Sequence, residues 1–156
     1  MSELTVGSPA PDFDLAADGG GRVSLSALKG RKVVLYFYPK DDTPGCTKEA
    51  IAFSGLADSF EEAGATIVGV SPDKAEKHDR FKAKHDLKVL LGADTDTDVA
   101  NRYGVWVEKS MYGRKYMGIE RSTFLIDAEG RIAAIWRKVK VAGHAEAVLE
   151  AVRELG

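Results

Sequence analysis

The sequence predicts an α/β fold, a mixed central sheet with flanking helices and an N-terminal β-hairpin. Three observations carry that prediction. Strand-like and helix-like segments alternate along the chain. Lys32–Tyr38 (KVVLYFY) and Ala65–Val70 (ATIVGV) are almost continuously apolar, as strands covered on both faces are. They bracket a helical stretch, and strand, helix and strand make a βαβ unit with a parallel pair. Finally, Ser122–Ile126 and Arg131–Trp136 are joined by only Asp127-Ala128-Glu129-Gly130, which predicts an antiparallel hairpin. Parallel and antiparallel pairs together make the sheet mixed.

The elements follow in order. Pro9-Ala10-Pro11 and Asp18-Gly19-Gly20-Gly21 are turn signals around short apolar patches at Phe13–Leu15 and Val23–Leu25, the expected N-terminal hairpin. Ser26–Lys29, closed by Gly30, reads as one helical turn. Pro39 ends the Lys32–Tyr38 strand. Cys46–Ala63 then reads as one helix with Ile51, Leu56 and Phe60 on an apolar stripe and Gly64 just past its end. Ser71-Pro72 stops the next strand. Asp73–His85 is a charged helix, Val89–Leu91 a short strand, Asp96–Tyr103 another helix, and Gly143–Leu155 the last. Residues between Tyr103 and Ser122 read as loop-rich. No linker, repeat or low-complexity stretch interrupts the chain, so residues 1–156 are expected to be a single domain.

Composition narrows the function. Hydrophobic residues are 44% and charged residues 29% of the 156, a globular balance. The net charge of −2 and the absence of a basic run argue against nucleic-acid binding. No apolar stretch is long enough to span a membrane. The start, Met1-Ser2-Glu3-Leu4-Thr5, carries no secretory signal, and the expected compartment is cytoplasmic. No long exposed apolar stripe is evident, and a monomer is expected. The one cysteine, Cys46, excludes an internal disulfide, a Cys-rich zinc site and a CxxC redox pair. No metal or organic cofactor is expected.

The informative segment is Pro39-Lys40-Asp41-Asp42-Thr43-Pro44-Gly45-Cys46-Thr47-Lys48-Glu49, which follows a buried strand and opens a helix. Ligands of open α/β sheets bind at the carboxyl ends of strands. Thr43 suits the N-cap and Pro44 the first helical position, so Cys46 lies in the first turn. Free N–H groups and the helix dipole favour a thiolate there. Lys40 and Lys48 support that charge, whereas Asp41, Asp42 and Glu49 oppose it. A lone cysteine is also compatible with an inert, buried role, but this one sits in a polar junction and not in an apolar run.

This segment resembles the peroxiredoxins, in their bacterioferritin-comigratory or peroxiredoxin-Q branch. The resemblance extends to Gly7-Ser8-Pro9-Ala10-Pro11-Asp12-Phe13, Tyr103-Gly104-Val105-Trp106 and Gly118–Asp127. It implies a thioredoxin-like fold and thiol-dependent reduction of hydrogen peroxide and organic hydroperoxides. Cys46 matches the peroxidatic cysteine and Thr43 the residue whose hydroxyl binds peroxide and sulfur. Pro39 matches the residue that shields the pocket, and Arg121 the arginine that stabilises the thiolate and orients the peroxide. Tyr38, Gly45 and Trp106 are the candidates for the substrate pocket, with core packing the alternative for Trp106 and Tyr112.

Many members of this branch carry a resolving cysteine five positions after the first, where this chain has Ile51. The sulfenic acid on Cys46 is therefore expected to meet an external thiol: thioredoxin, glutaredoxin with glutathione, or a small thiol. A second reading is a redox sensor or thiol-binding module that forms a mixed disulfide through Cys46 with little turnover. His78 and His85 are expected on a solvated helix face, and His144 on the surface. Asp94, Asp96 and Asp98 are expected to cap and turn the chain.

Overall fold

Alternation along one strand organises the molecule. In the strand Lys32–Phe37, Val33, Leu35 and Phe37 enter one apolar layer, while Val34, Tyr36 and the following Tyr38 enter the other. The computed structural model describes residues 4–155. Nine strands are described: β1 (Asp14–Ala17), β2 (Arg22–Ser24), β3 (Lys32–Phe37), β4 (Ala65–Ser71), β5 (Leu90–Ala93), β6 (Trp106–Met111), β7 (Arg114–Ile119), β8 (Ser122–Ile126) and β9 (Ile132–Trp136). The helices are α1 (Pro44–Gly55), α2 (Ala57–Glu62), α3 (Ala75–His85), α4 (Asp98–Arg102) and α5 (His144–Glu154).

Seven strands form one sheet in the order β2-β1-β5-β4-β3-β8-β9. The β3/β4 and β4/β5 pairs are parallel, and the other pairs are antiparallel, so the sheet is mixed as expected. The N-terminal hairpin is β1 and β2, docked on the β5 edge. One layer packs α1, α2, α3 and α5 against the sheet through Ala50, Phe53, Phe60, Phe81, Val148 and Val152. The other layer includes Val99 and Ala100 of α4. No described helix is long and apolar enough to cross a membrane.

Three expectations change. The stretch read as one helix, Cys46–Ala63, is two, because the weak helix formers Ser54 and Gly55 lead into Leu56, which leaves the helical region (φ −107, ψ 9). The stretch between Tyr103 and Ser122 is not a loop but the separate β6/β7 hairpin. Its two-residue turn, Tyr112-Gly113, has φ of 52 and 78, the positive pair of a type I′ turn. Most of its residues are exposed, so no buried face writes an alternating pattern into the sequence. Asp73 precedes α3 and instead accepts hydrogen bonds from the Asp41 N–H and the Ser71 hydroxyl, both at 2.7 Å.

Candidate active site

Strand β3 delivers the chain to the carboxyl edge of the sheet. The Tyr38 N–H still bonds the Val70 carbonyl (3.1 Å), and Pro39, with no N–H to give, ends the ladder. Helix α1 then opens with Pro44 as its first residue and Thr43 at the N-cap, in extended backbone (φ −94, ψ 155). The N-cap position is as expected, but the side chain does not cap. The Thr43 hydroxyl donates to the Lys40 carbonyl at 2.8 Å, closing the loop on itself. Cys46 is the third residue of α1 and is 2% exposed. Its own N–H lies among the first-turn donors that have no intrahelical acceptor.

Arg121 reaches this sulfur because of sheet register. In the antiparallel β3/β8 pair Ser122 lies opposite Phe37, so the preceding Arg121 falls at the end of β3 beside the loop. Its Nη2 donates to Cys46 Sγ at 3.3 Å, and its Nη1 donates to Glu49 Oε1 at 2.7 Å. A Cβ on Gly45 would stand 3.2 Å from Nη2, so glycine at this position lets the guanidinium approach. Burial opposes the charge on Arg121, but Glu49 and Cys46 outweigh it and raise its pKa.

Sequence reasoning treated Glu49 only as an opposing charge. It lies three residues after Cys46 on the same helix, the spacing that brings side chains to one face, and that was the available signal. The structure makes it the partner of Arg121. Burial pushes its carboxyl up to about 7, against the pull of Arg121. Its Oε2 has no hydrogen-bond partner among the described residues, and neither has the Tyr36 hydroxyl. Burial first, then Glu49 and Cys46, hold the Tyr36 phenol protonated. A Cβ on Gly69 would lie 2.6 Å from the Tyr36 ring, so Gly69 makes room for that ring beneath the site.

On the other side of the loop, Asp41 is fully engaged. Tyr38 donates its hydroxyl to Oδ1 at 2.5 Å, and His78 Nδ1 lies 2.6 Å from Oδ2. The Gly92 carbonyl only accepts, so His78 Nε2, 2.9 Å away, carries a proton and donates to it. The expected solvated face is thus wrong for His78, which is fully buried and ties α3 and β5 to the loop. His85 is half-buried beside Asp42 at 3.0 Å. His144 also departs from its expected surface position. It is buried, 2.8 Å from the Thr123 hydroxyl, and burial followed by Arg121 lowers its pKa to about 4. His78 belongs to a mostly polar helix, His144 opens an amphipathic one, and the partners of both lie on other elements. Asp94 does cap, accepting from the Val99 and Ala100 N–H groups.

Of the expected pocket residues, Gly45 lies against Arg121 and Pro39 is half-buried at the mouth of the loop. The Tyr38 hydroxyl is directed to Asp41. Trp106 packs on the opposite apolar layer, paired across β6/β7 with Ile119. Tyr112 is 99% exposed, so neither of its two expected roles is met.

A buried thiol, held at a helix start under an arginine, is the arrangement of a thiol-based redox enzyme. The sequence model of the AhpC/TSA family matches residues 6–135. Peroxiredoxin Bcp of Bacillus subtilis (strain 168) is 51% identical over 152 residues, which is 97% of each chain. Peroxiredoxin Bcp of Escherichia coli (strain K12) is 41% identical over 154 residues, 99% of each chain. A crystal structure of a Xylella fastidiosa PrxQ mutant superposes with a TM-score of 0.93 at 40% identity, covering 99% of both chains. The chain belongs to the AhpC/TSA family, with the thioredoxin-like mixed sheet of the peroxiredoxins it resembles. Its activity is that of a thiol-dependent peroxidase, and its single cysteine makes it a one-cysteine variant.

Proposed function

We propose that Cys46 is the peroxidatic cysteine and that it reduces hydrogen peroxide and organic hydroperoxides. The 3.3 Å contact from Arg121 Nη2 to Cys46 Sγ carries this reading. The thiolate attacks one peroxide oxygen, an S–O bond forms and the O–O bond breaks. The other oxygen leaves with a proton, as water or an alcohol. Negative charge therefore moves off sulfur, and a fixed guanidinium beside it stabilises both ends of the transfer. Thr43, one turn before Cys46, holds the loop through Lys40, and in this reading its hydroxyl leaves Lys40 to bond the entering peroxide. Pro39 and Gly45 shape the mouth of the pocket, with Tyr38 fixing the loop from below and Trp106 bracing the hairpin beside it. A structure of the Xanthomonas campestris Bacterioferritin Comigratory Protein, with a TM-score of 0.90 at 45% identity, is described for its alkyl peroxide reduction activity, which supports an organic substrate here.

The sulfenic acid on Cys46 is then reduced by an external thiol, because the chain holds no second cysteine. We place the reaction in the cytoplasm, with residues 1–156 acting as one domain and as a monomer. Intact-mass spectrometry after one equivalent of peroxide, with dimedone as the trap, tests the assignment. A dimedone adduct on Cys46 that forms much faster than on free cysteine, and slows in Arg121→Ala, is expected. A thiol no faster than free cysteine would contradict it.

A further inference from the structure

A groove of about 370 Å3 opens beside the site, lined by Val107, Glu108, Lys109, Glu120, Arg121, Lys138 and Val139. Its lining carries three cations, Lys109, Arg121 and Lys138, against two carboxylates, Glu108 and Glu120. The groove lining therefore carries a small positive excess in a chain of net charge −2. One of the two carboxylates, Glu108, is paired with Lys115 at 3.7 Å. Arg121 joins the groove to the chemistry, since it lines the wall and its Nη2 touches the Cys46 sulfur. Lys109 is half-buried, with its methylenes against Gly118. Its pKa is lowered by burial and then by Arg121, and raised by Cys46 and Glu120, so its ammonium stands within the field of the reacting sulfur.

We infer that this groove is the docking site of the reductant, and that the reductant is a small thiol bearing a carboxylate, held by Lys109 and Lys138. The inference rests on the peroxidase reading of Cys46. Hydrogen peroxide is small and neutral and needs no such groove, whereas the thiol must arrive from outside as a thiolate. The incoming thiolate attacks the sulfenic sulfur of Cys46. An S–S bond forms, the S–O bond breaks, and hydroxide leaves and takes a proton to become water. A second thiolate attacks the outer sulfur, releasing the small disulfide and restoring the Cys46 thiolate. Cys46 is reduced and two thiols are oxidised. A cationic groove raises the local concentration of the anionic thiol and offers its carboxylate two ammonium groups, with Val107 and Val139 along its carbon chain.

The test uses three thiols of similar size: 3-mercaptopropionate, 2-mercaptoethanol and cysteamine. The sulfenic acid is first formed with one equivalent of hydrogen peroxide and confirmed with dimedone. Its reduction rate is then measured for each thiol and referred to the thiolate concentration. The anionic thiol should lead the cationic one by about tenfold, and added salt should compress the difference. In Lys109→Glu with Lys138→Glu the order should collapse or reverse. Lys138→Glu alone, at an exposed position, should give part of the effect if Lys109→Glu disturbs the hairpin. Equal rates for the three thiolates, or an equal fall for all three in the variants, would overturn the inference while leaving the peroxidase reading intact. Discrimination of a carboxylate-bearing hydroperoxide from its methyl ester, at a fixed thiol, with none between the thiols, would assign the groove to the peroxide and overturn it too. Absence of any sulfenic acid would remove the peroxidase reading and this inference with it.

Discussion

Two buried carboxyl groups stand on either side of the Cys46 loop, and they are built differently. Asp41 is 2% exposed and both its oxygens are engaged, by Tyr38 and by His78. Glu49 is 1% exposed, gives one oxygen to Arg121 and leaves the other without a partner. Burial of a polar group is tolerated when its bonds are complete, and a complete buried network rigidifies what it ties. Asp41 therefore fixes the loop, through two elements remote in sequence. An incompletely bonded buried carboxyl instead resists ionisation, and the Glu49 value of about 7 expresses that resistance. Glu49 is a responsive group and Asp41 an anchor. Arg121 is shared between the responsive group and the sulfur.

The largest effect is expected at that shared residue. Arg121→Ala should slow the oxidation of Cys46 by peroxide by about 10²- to 10³-fold, the usual loss when a charge-stabilising donor is removed. Stopped-flow oxidation measures it, and a loss below tenfold would break the link between the guanidinium and the chemistry. The anchor comes next. His78→Ala strands Asp41 Oδ2 in the interior, and chemical denaturation should show a loss of about 3–5 kcal/mol, the range for a broken buried pair. A loss under about 1 kcal/mol, as for an ordinary hydrogen bond, would mean that the Asp41 side is not an anchor.

Glu49 should show itself through pH. Its pKa is about 7 in the folded protein against an ordinary 4.5, so between these values the folded state holds the extra proton. Its contribution to stability is then lost as pH rises from about 4.5 to about 7, by on the order of 3 kcal/mol, and Glu49→Gln should abolish that fall. Buried His144 has the opposite sign. Its pKa of about 4 lies below the usual 6.5, so its contribution is present above pH 6.5 and is lost as pH falls toward 4. His144→Gln should remove that acid limb in the same denaturation series. The smallest effect is Tyr38→Phe, which removes one bond to Asp41 and should lower stability by about 1–2 kcal/mol.

Local chemistry made most of the fold and the centre of the site readable. The buried strands β3 and β4, the parallel pair between them and the β8/β9 hairpin follow from runs of apolar and β-branched residues. The helix start at Pro44 and the place of Cys46 within it follow from the Thr-Pro-Gly signal. Arg121 carried no local signal. It reaches Cys46 only through the β3/β8 register, and the family resemblance alone pointed to it. The Asp41–His78 tie was hidden for a related reason. His78 lies in a helix of Lys, Asp and Glu residues, and what buries it is its approach to Asp41 and to Gly92 on other elements. The β6/β7 hairpin escaped because exposed strands carry no alternation.

The most direct test of the contrast between the two carboxyls is the rate of Cys46 oxidation by hydrogen peroxide, followed from well below to well above pH 7 in the wild type, Glu49→Gln and Tyr38→Phe. An inflection near pH 7 in the wild type and in Tyr38→Phe, absent from Glu49→Gln, is the predicted result, because ionised Glu49 shares the Arg121 charge with the sulfur. An inflection that survives Glu49→Gln unchanged would contradict the account.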